Sequence, residues 1–392
     1  MSVLFSRFEL FPLRIPLKAP FITSLGALTE VESVVLRATT TDGLIGWGEC
    51  NPFWSINGET QETCLAVGRH LAKALIGCRA GVPPAHPLGI PRGGQAGSLS
   101  DSLSDSLEDA HRIMDRLIYG NNSIKSAFDI ALHDIAAQAA GMPLYKLLGG
   151  EERRTLITDY TVSLGVPEKM AEDALAIVRN GFTVIKVKLG GTPEEDVARV
   201  LAIRAAIGEA IPLRIDANQG WTPEQAILVL NALCDANIQH CEEPIPRWQF
   251  MEMKRVKDAS PIPIMADESC CDHHDAKRLI ALGACQRFNI KLGKSGGLFK
   301  AKKILDLAER AGMEVQIGGF LESRLAWTAA AHLALTSPAV RYCDMDTPLM
   351  FTADPVVGGI TYSTGGTITL PVGNGLGASI DPAFLKGGIE VT

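Results

Sequence analysis

Eight short apolar segments recur in the second half of the chain and limit its fold more than any other feature. They cover residues 160–164, 184–188, 213–216, 238–242, 262–267, 288–292, 314–317 and 340–344. Segments with helical periodicity, such as PEEDVARVLAIRAAIG, lie between them. A spacing of roughly 25 residues is typical of one strand–helix unit. We therefore predict an α/β fold with a (β/α)8 barrel, in which several strands end in charged residues at the rim where such barrels carry their active sites.

The first part of the chain has a different pattern. Residues 8–16 and 31–38 alternate in polarity like strands, and the TDG sequence at 41–43 is typical of a hairpin turn. A helical period begins at Thr60, and residues 124–140 predict a second, amphipathic helix. This mixture indicates an α+β unit ahead of the barrel.

A stretch rich in Pro and Gly interrupts the N-terminal part at residues 79–107 and ends in SLSDSLSDSL. We interpret it as a low-complexity surface insertion or mobile loop. The resulting organisation is an N-terminal domain at 1–150, a barrel at 151–350, and a Gly-rich tail at 351–392 that completes the barrel and returns to the first domain.

Composition excludes several classes of protein. The chain is 46% hydrophobic and 21% charged, with a net charge of −7, which fits a packed soluble protein without a nucleic-acid or membrane-binding surface. It lacks the run of roughly 20 apolar residues that a membrane helix needs. The nine cysteines form no CxxC pair, so we expect reduced thiols and a cytoplasmic enzyme. The choice between a monomer and a homo-oligomer stays open.

Three acidic residues stand at the ends of three successive segments. They are Asp216 in RIDAN, Glu242 in CEEP and Asp267 in MADES. Carboxylates that converge from neighbouring strands form an oxygen-only site, which suits Mg²⁺, whereas the lack of Cys and His ligands argues against zinc. Because side chains alternate along a strand, only one of Glu242 and Glu243 can point inward, and the alternation alone leaves open which one.

Lysine residues end two other segments. Lys186 and Lys188 lie on the same face of the second segment, and Lys291 ends the sixth. The apolar neighbours of Lys186 and Lys188 predict that both point into the barrel or its mouth, where a buried cation beside another cation has a lowered pKa and can act as a base. We therefore assign Lys188 as a base and Lys186 as its electrostatic modulator.

The positions of these segments around a barrel suggest a reaction. Strands two and six lie on opposite sides, so a carboxylate bound to the metal would hold its α-carbon between Lys188 and Lys291. One lysine would remove the α-proton to form an enediolate and the other would return a proton from the opposite side. Two opposed bases indicate epimerisation, whereas one base and a leaving group would indicate elimination.

The last segment ends in a second acidic pair, Asp344 and Asp346. Both lie on one face at the rim opposite the metal ligands. Two extra carboxylates there favour a cationic group on the substrate, such as an ammonium.

The motifs KVK, DAN, EEP, DES and NIKLGK, in this order, resemble the muconate-lactonising subgroup of the enolase superfamily. The segments TDYTVS, DMDTPLM and GGITYSTGGTITLPVGNGLG are similar to those of its dipeptide epimerases. The resemblance implies a capping domain, formed by the N-terminal segment and the tail, over a modified barrel. It also implies site roles for this chain: Mg²⁺ ligands at Asp216, Glu242 and Asp267, an acid–base pair at Lys188 and Lys291, an ammonium clamp at Asp344 and Asp346, and a substrate contact at Thr161. The C-terminal carboxylate of a dipeptide would then bind the metal, and the C-terminal residue would be inverted.

One position departs from the resemblance. Dipeptide epimerases that act on Ala-Glu carry an Arg in the first capping loop, and the aligned residue in this chain is Gly26. The second capping loop contributes Phe53 and Ile56, which indicate an apolar pocket for a substrate side chain. We therefore expect a dipeptide other than Ala-Glu.

The same metal and lysines would serve an N-acylamino acid racemase, a cycloisomerase or an o-succinylbenzoate synthase. These enzymes have no use for an ammonium clamp, so the Asp344–Asp346 pair argues against them. A dehydratase of the mandelate racemase type would need a His near the seventh segment, and EVQIGGFLES has none. A non-catalytic binding protein on the same barrel would tolerate loss of a ligand or a base, and all of them are present.

Overall fold

The computed structural model describes residues 3–76, 79–80, 99–151 and 154–392. Its N-terminal part is an antiparallel sheet with helices packed against it. The strands are β1 (Val3–Thr23), β2 (Gly26–Thr40), β3 (Ile45–Cys50) and β4 (Arg79–Ala80), and the helices are α1 (Trp54–Asn57), α2 (Gln61–Leu75), α3 (Leu99–Leu117), α4 (Asn122–Ala139) and α5 (Leu144–Leu147). The two predicted strands, the turn at 41–43 and both predicted helices are confirmed.

Helix α4 packs directly on β3 because this strand carries two glycines. A Cβ atom added to Gly48 would lie 1.9 Å from the carbonyl oxygen of Ala127, so only a glycine allows this close approach. The helix is buried on nearly all sides rather than on one face, because it lies between the sheet and the barrel.

The interpretation of residues 79–107 as a loop is wrong for its two ends. Residues 79–80 pair with β1, and residues 99–107 form the first half of α3. The physical reason lies in the sequence, where leucines recur at every fourth position (99, 103 and 107), a spacing typical of a helix. Leu107 and Met114 of this helix pack into the core of the N-terminal domain. The rest of the predicted insertion lies outside the described residues.

The barrel follows after the short strand β5 (Leu156–Ile157). Its eight strands are all parallel and pair in chain order, which confirms the predicted segments. They are β6 (Tyr160–Val162), β7 (Ile185–Lys188), β8 (Leu213–Asp216), β9 (Ile238–Glu242), β10 (Ile264–Ala266), β11 (Arg287–Lys291), β12 (Glu314–Gly318) and β13 (Val340–Cys343). A parallel bridge between Thr158 and Cys343 joins the two ends of the sheet.

Eight helices surround this sheet in the described part of the chain: α6 (Pro167–Arg179), α7 (Pro193–Ile207), α8 (Pro223–Ala232), α9 (Phe250–Ala259), α10 (His273–Leu282), α11 (Leu292–Ser295), α12 (Leu298–Arg310) and α13 (Arg324–Ala334). Helices α7 and α8 begin with Thr-Pro, and the side chains of Thr192 and Thr222 accept the first hydrogen bonds of capping boxes. These local signals start each helix soon after its strand and leave the strand ends free to line a site.

The tail adds five short strands: β14 (Val356–Gly358), β15 (Thr361–Ser363), β16 (Thr367–Thr369), β17 (Ala378–Ile380) and β18 (Ile389–Val391). Strand β16 pairs with β5 beside the barrel, and β18 pairs with β1 of the N-terminal sheet. The tail therefore ties the two parts of the molecule together. None of the described helices is both long and apolar enough to cross a membrane.

Candidate active site

The three predicted metal ligands lie at the carboxyl ends of adjacent strands. Asp216 and Glu242 end β8 and β9, Asp267 follows β10, and all three are fully buried. Two of the predicted lysines contact them directly: Lys188 Nζ lies 2.7 Å from Asp216 Oδ2, and Lys291 Nζ lies 2.7 Å from Asp267 Oδ2. The structure therefore brings together, at one rim, residues that are far apart in the sequence.

The three buried carboxylates, carried by neighbouring strands, offer a donor set that suits a divalent cation. Their donor atoms are oxygens only, the preferred ligands of Mg²⁺. Asp267 pairs with Lys291 through Oδ2 and with Lys294 through Oδ1, and its Oδ2 has no further hydrogen-bond partner among the described residues. Burying such a group is costly unless a cation offsets its charge.

Only one of the two glutamates at the end of β9 points into the barrel. Glu242 accepts hydrogen bonds from Lys186 Nζ at 2.8 Å, Asn289 Nδ2 at 2.8 Å and Gln316 Nε2 at 3.1 Å. Glu243 has a φ of 33° and turns away from the interior. Its carboxylate accepts the backbone N–H of Asp267 at 2.7 Å and thereby holds the loop that carries this residue.

The expected lowering of the pKa is wrong for Lys186. Burial lowers the pKa of Lys186, but the carboxylates of Asp344, Glu242 and Asp216 outweigh it and raise the pKa well above its usual value. The pKa of Lys291 is likewise raised, because Asp267 and Glu242 outweigh its burial. The neighbouring lysines are outnumbered by carboxylates, which strand alternation alone does not reveal. A divalent cation bound among these acids offsets part of their charge.

Lys188 and Lys291 enter one cavity from opposite sides. Their strands, β7 and β11, are four apart in an eight-stranded barrel, which places them across from each other. The ammonium of Lys188 lies 5.7 Å from the ring centre of Phe21, and that of Lys291 lies 5.1 Å from that of Phe320. The cavity has an empty volume of about 490 Å³, and its remaining walls are Thr23, Leu25, Phe53, Ile56, Thr161, Asn218, Gly319, Leu321, Asp344, Asp346 and Thr347.

The second acidic pair also lines this cavity, together with Thr161. Asp344 pairs with Lys186 at 2.7 Å, and Asp346 Oδ2 accepts the backbone N–H of Thr161 at 2.6 Å. Asp346 Oδ1 is buried without a hydrogen-bond partner among the described residues. Burial and the neighbouring carboxylate of Asp344 raise the pKa of Asp346 to about 7. The pair can therefore accept a cation from the cavity.

The two capping loops close the cavity from above. Phe53 and Ile56 line it as expected, whereas Gly26 is exposed and does not. Its neighbour Leu25 takes the place facing the cavity, because the Ser24 hydroxyl anchors the loop by donating to the carbonyl oxygen of Asn218 at 2.9 Å. Aligning Gly26 with the Arg of Ala-Glu epimerases could not show that Leu25 is the residue that contacts the cavity.

Several residues of this site do not stand out in the sequence. Lys294, one turn beyond Lys291, is buried and pairs with Asp267. Asn289 and Gln316 donate to Glu242 from the neighbouring strands. Arg214 reaches Asp159 at 2.7 Å beneath the cavity. Arg214 stands two residues before Asp216, and Asn289 two residues before Lys291. Side chains two positions apart on a strand share a face, so this spacing could have located Arg214 and Asn289 from the sequence.

Comparison with known proteins agrees with this architecture. Residues 169–384 match the family described as enolase C-terminal domain-like. Residues 8–82 and 98–149 match the N-terminal domain of the mandelate racemase and muconate lactonizing enzyme family. Together these matches span both the capping region and the barrel.

Individual relatives cover nearly the whole chain. A D-Ala-D/L-Ala epimerase of Cytophaga hutchinsonii is 50% identical over 98% of both chains. An L-Ala-D/L-Glu epimerase of Bacillus subtilis is 38% identical over 97% of this chain and 98% of its own. The crystal structure of a dipeptide epimerase from Cytophaga hutchinsonii, complexed with Mg and the dipeptide D-Ala-L-Val, superposes with a TM-score of 0.91 at 49% identity and 99% coverage of both chains. This chain belongs to the enolase superfamily, to its muconate-lactonising subgroup, and resembles the dipeptide epimerases within it.

Proposed function

We propose that this protein is a Mg²⁺-dependent dipeptide epimerase that inverts the α-carbon of the C-terminal residue. The observation that carries the proposal is the entry of Lys188 and Lys291 into one cavity from opposite strands, with buried carboxylates between them. A two-base 1,1-proton transfer needs this arrangement, because the proton must leave one face of the α-carbon and return to the other.

Asp216, Glu242 and Asp267 would hold the metal. When bound, Mg²⁺ supplies positive charge that stabilises the anion formed when the α-proton leaves. Lys186 lies 3.0 Å from Asp216 and 2.8 Å from Glu242, and keeps these two carboxylates oriented.

Proton transfer falls to the two opposed lysines. In one direction Lys188 accepts the α-proton while the ammonium of Lys291 donates on the far side, and in the other direction the roles reverse. Burial excludes bulk water from both, since Lys188 is 6% and Lys291 is 4% exposed. A proton therefore reaches the α-carbon from a lysine rather than from solvent.

The walls of the cavity favour a small or apolar substrate side chain. Phe21, Leu25, Phe53 and Ile56 face it from the capping loops, and the lysines on the strands supply its only cationic side chains among the described residues. A glutamate side chain would therefore lack a cationic partner near these loops. The dipeptides named for the Cytophaga hutchinsonii proteins carry small apolar side chains, and we infer the same class of substrate here. The eight free cysteines of the described residues fit the cytoplasmic location that we propose.

A dipeptide library incubated with the Mg²⁺-loaded enzyme in D₂O tests the proposal. We expect a single deuteron at the α-carbon of the C-terminal residue, with small apolar dipeptides exchanging fastest, as read by mass spectrometry of the hydrolysed products. Deuterium in N-acylated amino acids and in no free dipeptide would instead favour an N-acylamino acid racemase. Deuterium at the N-terminal residue would contradict the assigned binding direction.

Asp346→Asn is expected to lower kcat/KM for free dipeptides by about 30-fold or more, because it removes the charged partner of a buried ammonium. The N-acetylated dipeptide lacks that ammonium, so its kcat/KM should change little. Exchange rates of both substrates in D₂O provide the comparison. Asp235→Asn, at an exposed position away from the cavity, serves as the matched control. Equal losses for both substrates would rule out the clamp.

A further inference from the structure

A third carboxylate, Asp159, lies beneath the acidic pair. It immediately precedes β6, and its backbone N–H donates to the carbonyl oxygen of Cys343 at 3.3 Å where the two ends of the barrel meet. Its side chain is fully buried and does not line the cavity. One oxygen accepts a hydrogen bond from Arg214 Nη1 at 2.7 Å, whereas Oδ1 has no partner among the residues that the structure describes.

Asp159 is close to both members of the pair. One oxygen from each of Asp159, Asp344 and Asp346 lies within 4.8 Å of the others. Carboxylates this close raise one another's pKa unless cations offset their charge, and burial together with the neighbouring Asp344 raises the pKa of Asp159 well above its usual value. The second unpartnered atom, Asp346 Oδ1, belongs to a residue that is 0% exposed and lines the cavity. The cluster thus offers a free acceptor to a ligand.

The charges of the side chains that contact the three carboxylates determine which ligand fits the cluster. The three carboxylates contact two protein cations: Arg214 pairs with Asp159, and Lys186, which also contacts Asp216 and Glu242, pairs with Asp344. Asp346 forms no ion pair with a described residue, so with all three carboxylates ionised its negative charge is left without a direct partner. A ligand that carries one positive charge to Asp346 Oδ1 would balance it. The geometry therefore favours an ammonium group at this position.

Without Asp159, the positive charge of Arg214 would no longer be neutralised beside the acidic pair. Its Nη1 also donates to the carbonyl oxygen of Cys343 at 2.9 Å, so its charge lies next to the residue that precedes Asp344. An unpaired guanidinium at this point would repel a substrate ammonium in a low-dielectric interior.

We propose that Asp159 is a positioning residue that neutralises Arg214 and so preserves the single net negative charge with which the clamp selects a free α-ammonium. This inference rests on the proposed function. It extends the clamp to a buried residue that does not touch the substrate.

The Asp159→Asn variant tests this charge balance. We compare kcat/KM for a free dipeptide with that for its N-acetylated form, both followed by α-proton exchange in D₂O. The ratio should fall at least about 10-fold, mainly through KM of the free dipeptide. In the double variant Asp159→Asn/Arg214→Met the net charge returns to one negative, and the ratio should recover. Asp235→Asn should leave it unchanged.

The outcomes are distinguishable. If Asp159 had a purely structural role, its replacement would lower kcat/KM for both substrates in proportion, and kcat/KM of the double variant would be lower than that of the single one. That result would overturn the inference. If the wild-type enzyme exchanged no dipeptide at all, the proposed function itself would fail.

A measurement on the wild-type enzyme covers the case in which the variants do not fold. With no cation in the clamp, the raised pKa of Asp346, about 7, keeps part of the cluster protonated below neutral pH. The charged and titratable groups around it are Asp159, Asp344, Lys186, Tyr160 and Tyr362. Binding of a free dipeptide at pH 6 should therefore release more protons than binding of its N-acetylated form, as measured by calorimetry in two buffers of different ionisation enthalpy. Equal release would overturn the inference.

Discussion

Lys188→Ala and Lys291→Ala are each expected to reduce epimerisation by about 1,000-fold or more, within the range that a positioned acid or base contributes. The reason is geometric. Each lysine reaches only its own side of the cavity, so neither can replace the other. A mechanism with one base would leave one of the two variants close to full activity.

Isotope exchange gives these variants a sharper readout than turnover. The lysine that remains can still remove and return a proton on its own face. Lys188→Ala should therefore exchange the α-proton of one stereoisomer only, and Lys291→Ala that of the other, without inversion in either. Lys277→Ala, at an exposed helix position, is the control. Exchange of the same stereoisomer by both variants would place the two ammonium groups on one side and contradict the proposal.

Removal of the divalent cation is expected to have an effect of similar size. Metal ions stabilise the developing charge by several kcal/mol, so chelation should lower activity by about 1,000-fold, and added Mg²⁺ should restore it. Glu242→Gln should weaken Mg²⁺ binding by about tenfold or more, because it removes one charged ligand.

Thermal denaturation provides a readout independent of turnover. A cation that binds only the folded state raises Tm as its concentration increases. The shift produced by Mg²⁺ should shrink in Glu242→Gln. It should persist in Glu243→Gln, whose carboxylate holds a backbone loop and points away from the interior. If both variants kept the full shift, the ion would bind elsewhere.

Much of the architecture follows from local patterns in the chain. All eight barrel strands could be predicted, because each is a short apolar segment between helices with their own capping signals. The same alternation along a strand predicts that Lys186 and Lys188 share a face. The motif order led to the superfamily. The roles assigned to individual residues stay predictions that the variants above test.

Other features were decided by contacts between distant parts of the chain. The loop position that faces the cavity is Leu25 rather than Gly26, because Ser24 is anchored to the loop after β8. The serine-rich stretch belongs to a helix whose Leu107 and Met114 pack against the N-terminal core. The pKa of Lys291 depends on several carboxylates at once.

The division has a physical reason. Strand and helix periodicity is a property of a few consecutive residues, so the sequence by itself determined the elements of the barrel and the residues at their ends. Electrostatic balance and loop position depend on distances between residues such as Asp159 and Arg214, which are 55 positions apart. Only the folded chain brings such groups within a few ångströms, and therefore only the tertiary structure decided how they act on one another.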